Sequence, residues 1–203
     1  MPVSQPSKLF NAKHAGILCA IALLIAFAIS AIFHFEPFWE AFRKGMPPLR
    51  QLTFGVLVGA FIAFLGLVTL MLGTRYLRVF ATFRKEMFAL MSRVDTSGMN
   101  PLLIGLSAGL WEEVLFRATL QPIVGIWWGS LIFMLCHAGT GQFLSMNWKK
   151  VAYAVSVFAA GLMLGWVFQN IGLLAAIAAH ATIDVIGLFA MRSMSNTPIP
   201  VET

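Results

Sequence analysis

The chain has 203 residues, 59% of them hydrophobic and only 11% charged, and its mean hydropathy is +0.84. This balance excludes an ordinary soluble globular protein and a disordered chain, and it makes lipid the solvent for most of the sequence. Lys and Arg outnumber Asp and Glu by 14 to 8, but the cations sit between apolar runs, so the excess reads as membrane orientation and gives no sign of nucleic-acid binding.

Residues 1–14 are polar, and the apolar run 15–35 that follows is long enough to span a bilayer. Ala26-Phe27-Ala28 resembles a signal-peptide cleavage site, but apolar sequence continues beyond it, which favours a retained anchor. Residues 36–51 carry Arg43, Lys44, Pro47, Pro48 and Arg50, with Trp39 as an interfacial anchor, and read as a loop or short surface helix. A second span covers about 52–73, so that 15–73 holds two N-terminal spans.

Over 76–94 the pattern changes. Leu77, Phe80, Phe83, Met87, Leu90 and Val94 recur every three or four residues among Arg78, Arg84, Lys85, Glu86 and Arg93, which predicts an amphipathic helix on the membrane surface. Residues 95–100 break that helix, and Pro101 and Pro122 bracket a third span about 30 Å long. A short fourth span follows over 123–138, a fifth over 151–168 and a sixth over 171–191.

Glycines four apart recur in these spans, as Gly55 with Gly59, Gly105 with Gly109, Gly125 with Gly129 and Gly161 with Gly165, a spacing that permits close helix contact. Cys19 and Cys136 lie in apolar runs without a disulfide or zinc-knuckle spacing, and each reads as a small buried apolar residue.

The expected fold is all-α, a polytopic transmembrane helical bundle of about six spans plus one amphipathic surface helix. It forms one membrane domain over 1–203 whose functional core is the four-span segment 101–191. Alternating the loops places Lys8, Lys13, Arg75, Arg78, Arg84, Lys85, Arg93, Lys149, Lys150 and Arg192 on one side, against Arg43, Lys44 and Arg50 on the other. By the positive-inside rule both termini are then cytoplasmic.

The last four spans contain Glu112, Glu113, Arg117, His137, His180 and Asp184. Exposed singly at the bilayer centre, each charged group costs about 2.5 to 3.5 kcal/mol, so the group is expected to converge inside the bundle. Glu113 and Arg117 are four apart on one helical face and suit a structural ion pair. Glu112 is rotated by about 100° and faces a different cavity, free for chemistry. Phe133 with His137, and His180 with Asp184, likewise share faces.

A carboxylate and a histidine can hold and deprotonate a water while other polar groups stabilise an oxyanion, which is peptide hydrolysis without a Ser or Cys nucleophile. A zinc version is equally open at this point, with Glu112, His137 and His180 as three ligands and water in the fourth position.

Glu112-Glu113-Val114-Leu115-Phe116-Arg117 looks like an E-E-x-x-x-R motif, Phe133 to His137 fits F-x-x-x-H, and His180 to Asp184 fits H-x-x-x-N or H-x-x-x-D. In this order and inside apolar spans, they resemble the CAAX prenyl protease and bacteriocin-processing intramembrane proteases, also called Abi proteins.

The resemblance covers roughly residues 101–190. It implies an intramembrane glutamate-type endopeptidase in which Glu112 and His137 activate the attacking water, His180 and Asp184 contact the oxyanion, and Glu113, Arg117 and Phe133 shape the site. It favours the metal-free reading, with no cofactor. The prenyl proteases carry Asn where this chain has Asp184. An ionised Asp cannot donate to an oxyanion, so Asp184 is either protonated in this apolar setting or orients His180 by accepting its N–H, and the second is the favoured expectation.

The partners expected are the lipid bilayer and a peptide or protein substrate with a membrane-associated or lipidated segment, with no nucleic acid. Two other classes share the polar constellation: a proton-coupled transporter, and a non-catalytic membrane immunity or chaperone protein of the same fold.

Overall fold

A computed structural model describes residues 10–33, 35–76, 93–137 and 148–195. The amphipathic helix expected over 76–94 falls almost wholly outside the described residues. The described elements are α1 (Ala12–Phe33), α2 (Phe35–Arg43), α3 (Pro48–Tyr76), α4 (Asn100–Glu113), a π-helical segment (Val114–Leu120), α5 (Gln121–His137), α6 (Trp148–Asn170) and α7 (Leu173–Ser195). Among the described residues there is no β-strand, only the isolated bridges Phe10–Val94 and Gly45–Gly172.

Four stretches are long and apolar enough to cross a membrane by length and composition: Ala12–Phe33, Pro48–Leu72, Asn100–His137 and Leu173–Met194. A shorter apolar helix covers Ala154–Asn170. The fold is the expected all-α bundle, and the chain is an integral membrane protein.

The stretch Asn100–His137 is 38 residues long because the helix does not stop where Pro122 predicts. In the π-helical segment the backbone bonds reach five residues back, and the Gln121 N–H donates to Phe116 O. Thr119 Oγ1 also donates to Val114 O at 3.0 Å. Helix continues through Pro122, and the reversal comes at Gly125, with φ 81° and ψ 168°, a conformation open to glycine and strained for other residues.

Residues 126–137 then return beside the helix they left. Phe116 meets Phe133 edge-on at 5.1 Å between ring centroids, and Gly129 lies over Gln121. The span boundary is therefore at Gly125, three residues later than expected. Gly125 and Gly129 serve as a turn and its neighbour, and the expected packing role falls away for Gly125, which has open space around it.

The other glycine pairs do set packing. α7 is the central helix, its inner face built from the buried Ala175, Ala176, Ala179 and Ala181. Side chains at Gly55 or Gly59 of α3 would collide with the carbonyls of Ala175 and Ala179. A Cβ at Gly109 of α4 would stand 2.7 Å from Ala181 N, and one at Gly105 would stand 2.6 Å from Val185 Cγ2. In lipid, where apolar burial gives no drive toward association, this close approach supplies the packing that holds helices together. Gly161 and Gly165 of α6 pack in the same way against Ser130 and Gln121.

At one end of the bundle the start of α1, the start of α4 and the end of α7 are tied together. Ala12 N donates to Asn100 Oδ1 at 3.3 Å, and Arg192 Nη1 donates to Gly98 O at 3.2 Å. At the other end Met46 N donates to Ile171 O at 2.9 Å. There Gln51 bridges the two turns, its Nε2 donating to Met46 O at 2.7 Å and its Oε1 accepting from Leu174 N at 3.0 Å. α2 lies near this second end, burying Phe38 and Ala41 against Val114, Ala118 and Leu173. Of the two cysteines, Cys19 is buried as expected, whereas Cys136 is exposed, because it shares the outward face of α5 with Leu135.

Candidate active site

The last turn of α4 delivers Glu112 and Glu113, and the π-helical segment delivers Arg117. Glu113 and Arg117 are completely buried and form the expected pair, with Arg117 Nε donating to Glu113 Oε2 at 3.0 Å. Arg117 Nη1 points at Gln121 Oε1, 3.5 Å away, and the guanidinium carbon stands 5.2 Å from the centroid of the Phe133 ring, a cation–π contact strengthened by desolvation.

Glu113 does more than neutralise Arg117. Its second oxygen, Oε1, lies 2.7 Å from His180 Nδ1, a short, charge-assisted hydrogen bond in which the ring N–H donates to the carboxylate. This corrects the expectation that Asp184 orients His180, because Asp184 Oδ2 is 3.6 Å from the other ring nitrogen, Nε2, beyond hydrogen-bond length. The cause is the glycine contact below it. Gly109 lets α4 rest on the backbone of Ala181, the residue next to His180, and the end of α4 then carries Glu113 directly to the ring.

Glu112 faces the opposite side of the same ring. Its Oε2 lies 3.9 Å from His180 Nε2 and 3.7 Å from His137 Nε2, and it is a buried oxygen without a hydrogen-bond partner among the described residues. His137 Nδ1 is 2.9 Å from Phe133 O. A carbonyl only accepts, so Nδ1 carries the proton, and in the neutral ring Nε2 presents a lone pair toward Glu112. Phe133 fixes this ring twice, through that carbonyl and through its own ring, 4.5 Å away between centroids.

The structure thus brings Glu112, His137, His180 and Asp184 to one place from three helices, with Glu113, Arg117 and Phe133 directly behind them. Separations of 3.6 to 3.9 Å between Glu112 Oε2, the two Nε2 atoms and Asp184 Oδ2 are too long for direct hydrogen bonds and suit groups that share a small polar molecule.

Exposure shows which side of the site is the more open one. The side chains of Glu112 and His180 are 11% and 8% exposed, against 26% for His137 and 34% for Asp184. Asp184 lies one turn from His180 toward the C-terminal end of α7, so the more exposed side of the site faces the end of the bundle where α1 begins. Among the described residues no group of three or more His, Cys, Asp or Glu side chains is drawn together closely enough to count as a ready-made ion site; Glu112 Oε2 stands 3.7 and 3.9 Å from the Nε2 atoms of His137 and His180, the three groups that the sequence offered as zinc ligands.

Gln121 escaped the sequence reading. It is buried, and its Nε2 donates to Gly165 O at 3.2 Å. The available signal was its spacing, four residues after Arg117 within an apolar run.

Residues 96–186 match a protein family described as type II CAAX prenyl endopeptidase, Rce1-like, and this stretch includes every residue of the site. Comparison with curated proteins and with solved structures gives no match.

Proposed function

We propose, from the match of residues 96–186 to the family of type II CAAX prenyl endopeptidases described as Rce1-like, that this membrane protein is an intramembrane endopeptidase acting through a water held by Glu112 and His137. The single observation that carries the reading is Glu112 Oε2, buried, without a hydrogen-bond partner among the described residues and 3.7 Å from the lone-pair side of His137. A water at this point donates one hydrogen to the carboxylate and the other to His137 Nε2.

Glu112 takes the water's proton as the hydroxide oxygen bonds to the substrate carbonyl carbon, and the carbonyl oxygen becomes an oxyanion. His180 is held by Glu113 at Nδ1, so in its imidazolium form Nε2–H is free to donate to that oxyanion. Collapse breaks the C–N bond, and Glu112 returns its proton to the leaving amine. Asp184, beside His180 Nε2 at the open side of the cavity, borders the substrate. No step passes through a metal.

The substrate class is a peptide or protein with a prenylated segment that lies in the membrane and brings its scissile bond to the Asp184 side. The excess of cations in the loops on that side supports a cytoplasmic placement for it and for both termini. The whole of 1–203 acts as one membrane domain, with 101–191 as its catalytic part.

Single-turnover cleavage of a prenylated CAAX peptide by purified protein in H2-18O tests the water step. Label is expected in the new peptide carboxylate at the first turnover. Label in the Glu112 carboxylate instead means a covalent acyl-enzyme, which defeats the mechanism. Loss of activity with a chelator and its return with zinc defeats the metal-free form.

A further inference from the structure

Gln121 is an amide buried to 3% exposure between helices, where a side chain lacking partners carries a penalty. Both ends of the amide are engaged. Nε2 donates to Gly165 O of α6 at 3.2 Å, and since a carbonyl only accepts, that bond fixes which way the amide faces. Oε1 is thereby turned to Arg117 Nη1 at 3.5 Å. Arg117 needs this second hold, because only its Nε reaches Glu113 and its Nη2 has no hydrogen-bond partner among the described residues. Glu113 is in turn the group that grips His180 Nδ1.

We propose that Gln121 is a positioning residue for the hydrolytic centre, anchoring Arg117 to the backbone of α6 and, through Glu113, fixing the direction in which His180 presents Nε2. The path runs from Gly165 O through Gln121, Arg117 and Glu113 to the imidazole, and it ties the α6 backbone to the reacting end of α7. An apolar side chain at 121 would still face Gly165 but would offer the guanidinium no acceptor. It would leave the guanidinium with its single hydrogen bond to Glu113 and its contact with the Phe133 ring, neither of which fixes the direction of Nη1. The kinetic consequence rests on the protease reading above, whereas the orientation of His180 does not.

The test uses full-length protein in lipid nanodiscs with 15N-labelled histidine. The Nδ1 proton of His180, hydrogen-bonded to a carboxylate, gives a downfield resonance identified by its loss in His180→Gln. Gln121→Leu is expected to shift or broaden that resonance and to lower kcat by about 10- to 100-fold at unchanged KM, as a misplaced reacting group does.

Gly165→Ala provides a second variant if Gln121→Leu does not fold, since its Cβ would stand 2.7 Å from Gln121 Oε1 and displaces the amide without removing it. The same two changes are expected. An unchanged resonance in a folded variant overturns the proposal, whether or not thermal stability has dropped, because the amide is then only packing. A wild-type protein that cleaves no prenylated peptide defeats the protease reading, and the resonance still decides the role of Gln121.

Discussion

Replacing Glu113 by Gln separates the two carboxylates that the sequence sets side by side. Glu113 accepts from Arg117 with one oxygen and from His180 with the other, at 3.0 and 2.7 Å, and neither it nor Arg117 is exposed. Gln offers one acceptor oxygen and no charge, so one donor is orphaned and the guanidinium is left as an uncompensated buried cation. Breaking a buried pair on one side costs about 3 to 5 kcal/mol, or roughly two to nearly four decades in the folding equilibrium.

Reversible unfolding in mixed micelles with a rising mole fraction of SDS, followed by tryptophan fluorescence, measures the change. Glu112→Gln is the internal control, because Glu112 Oε2 makes no hydrogen bond to the protein among the described residues and an amide oxygen can still accept from a bound water, so its cost should stay near or below about 1 kcal/mol. The double variant Glu113→Gln with Arg117→Gln removes both charges and should recover part of the loss, since the coupling between partners is what a double-mutant cycle isolates. A Glu113→Gln cost under about 1 kcal/mol, the scale of an exposed pair, would refute the assignment of Glu113 as the buried hub.

Gly109→Leu forces a side chain onto Ala181 and should cost at least about 2 kcal/mol in the same titration, whereas Gly66→Leu meets open space and should cost almost nothing; equal effects would contradict the close α4–α7 approach. Asp184→Asn should keep kcat within a few-fold, since the amide gains a donor on the oxyanion side while Glu113 still orients His180; a collapse in kcat would return the orienting role to Asp184. With Cys19 and Cys136 replaced, a cysteine at Ser4 should react with an impermeant thiol reagent only after cells are opened; labelling of intact cells would reverse the orientation.

Much of this arrangement was legible in the sequence because lipid makes charge conspicuous. Six ionisable groups inside apolar spans had to converge, and Glu113 with Arg117 had to pair at a spacing of four. Gly55, Gly59, Gly105 and Gly109 announced close helix contacts without saying with what; the structure answers with α7, whose alanines accept them.

Three features were not legible, each for a physical reason. Pro122 signals a helix end because it lacks an N–H and crowds the preceding turn, but a π-helical segment changes which carbonyls need donors, and no composition rule marks such a segment in advance. The turn consequently moved to Gly125. The partner of His180 was misassigned because spacing reveals neighbours along one helix, such as Asp184, and says nothing of a carboxylate 67 residues away that a glycine contact brings closer. Gln121 was overlooked for a related reason: beside a proline, a polar residue reads as part of a turn.

The most direct measurement on the catalytic reading is the turnover of Glu112→Gln protein, purified and reconstituted in lipid, on a prenylated CAAX peptide that the wild type cleaves. Loss of the base should lower kcat by about 10²- to 10⁴-fold, with KM and the unfolding midpoint close to wild type. Turnover within about twofold of wild type would show that Glu112 is not the group that activates water.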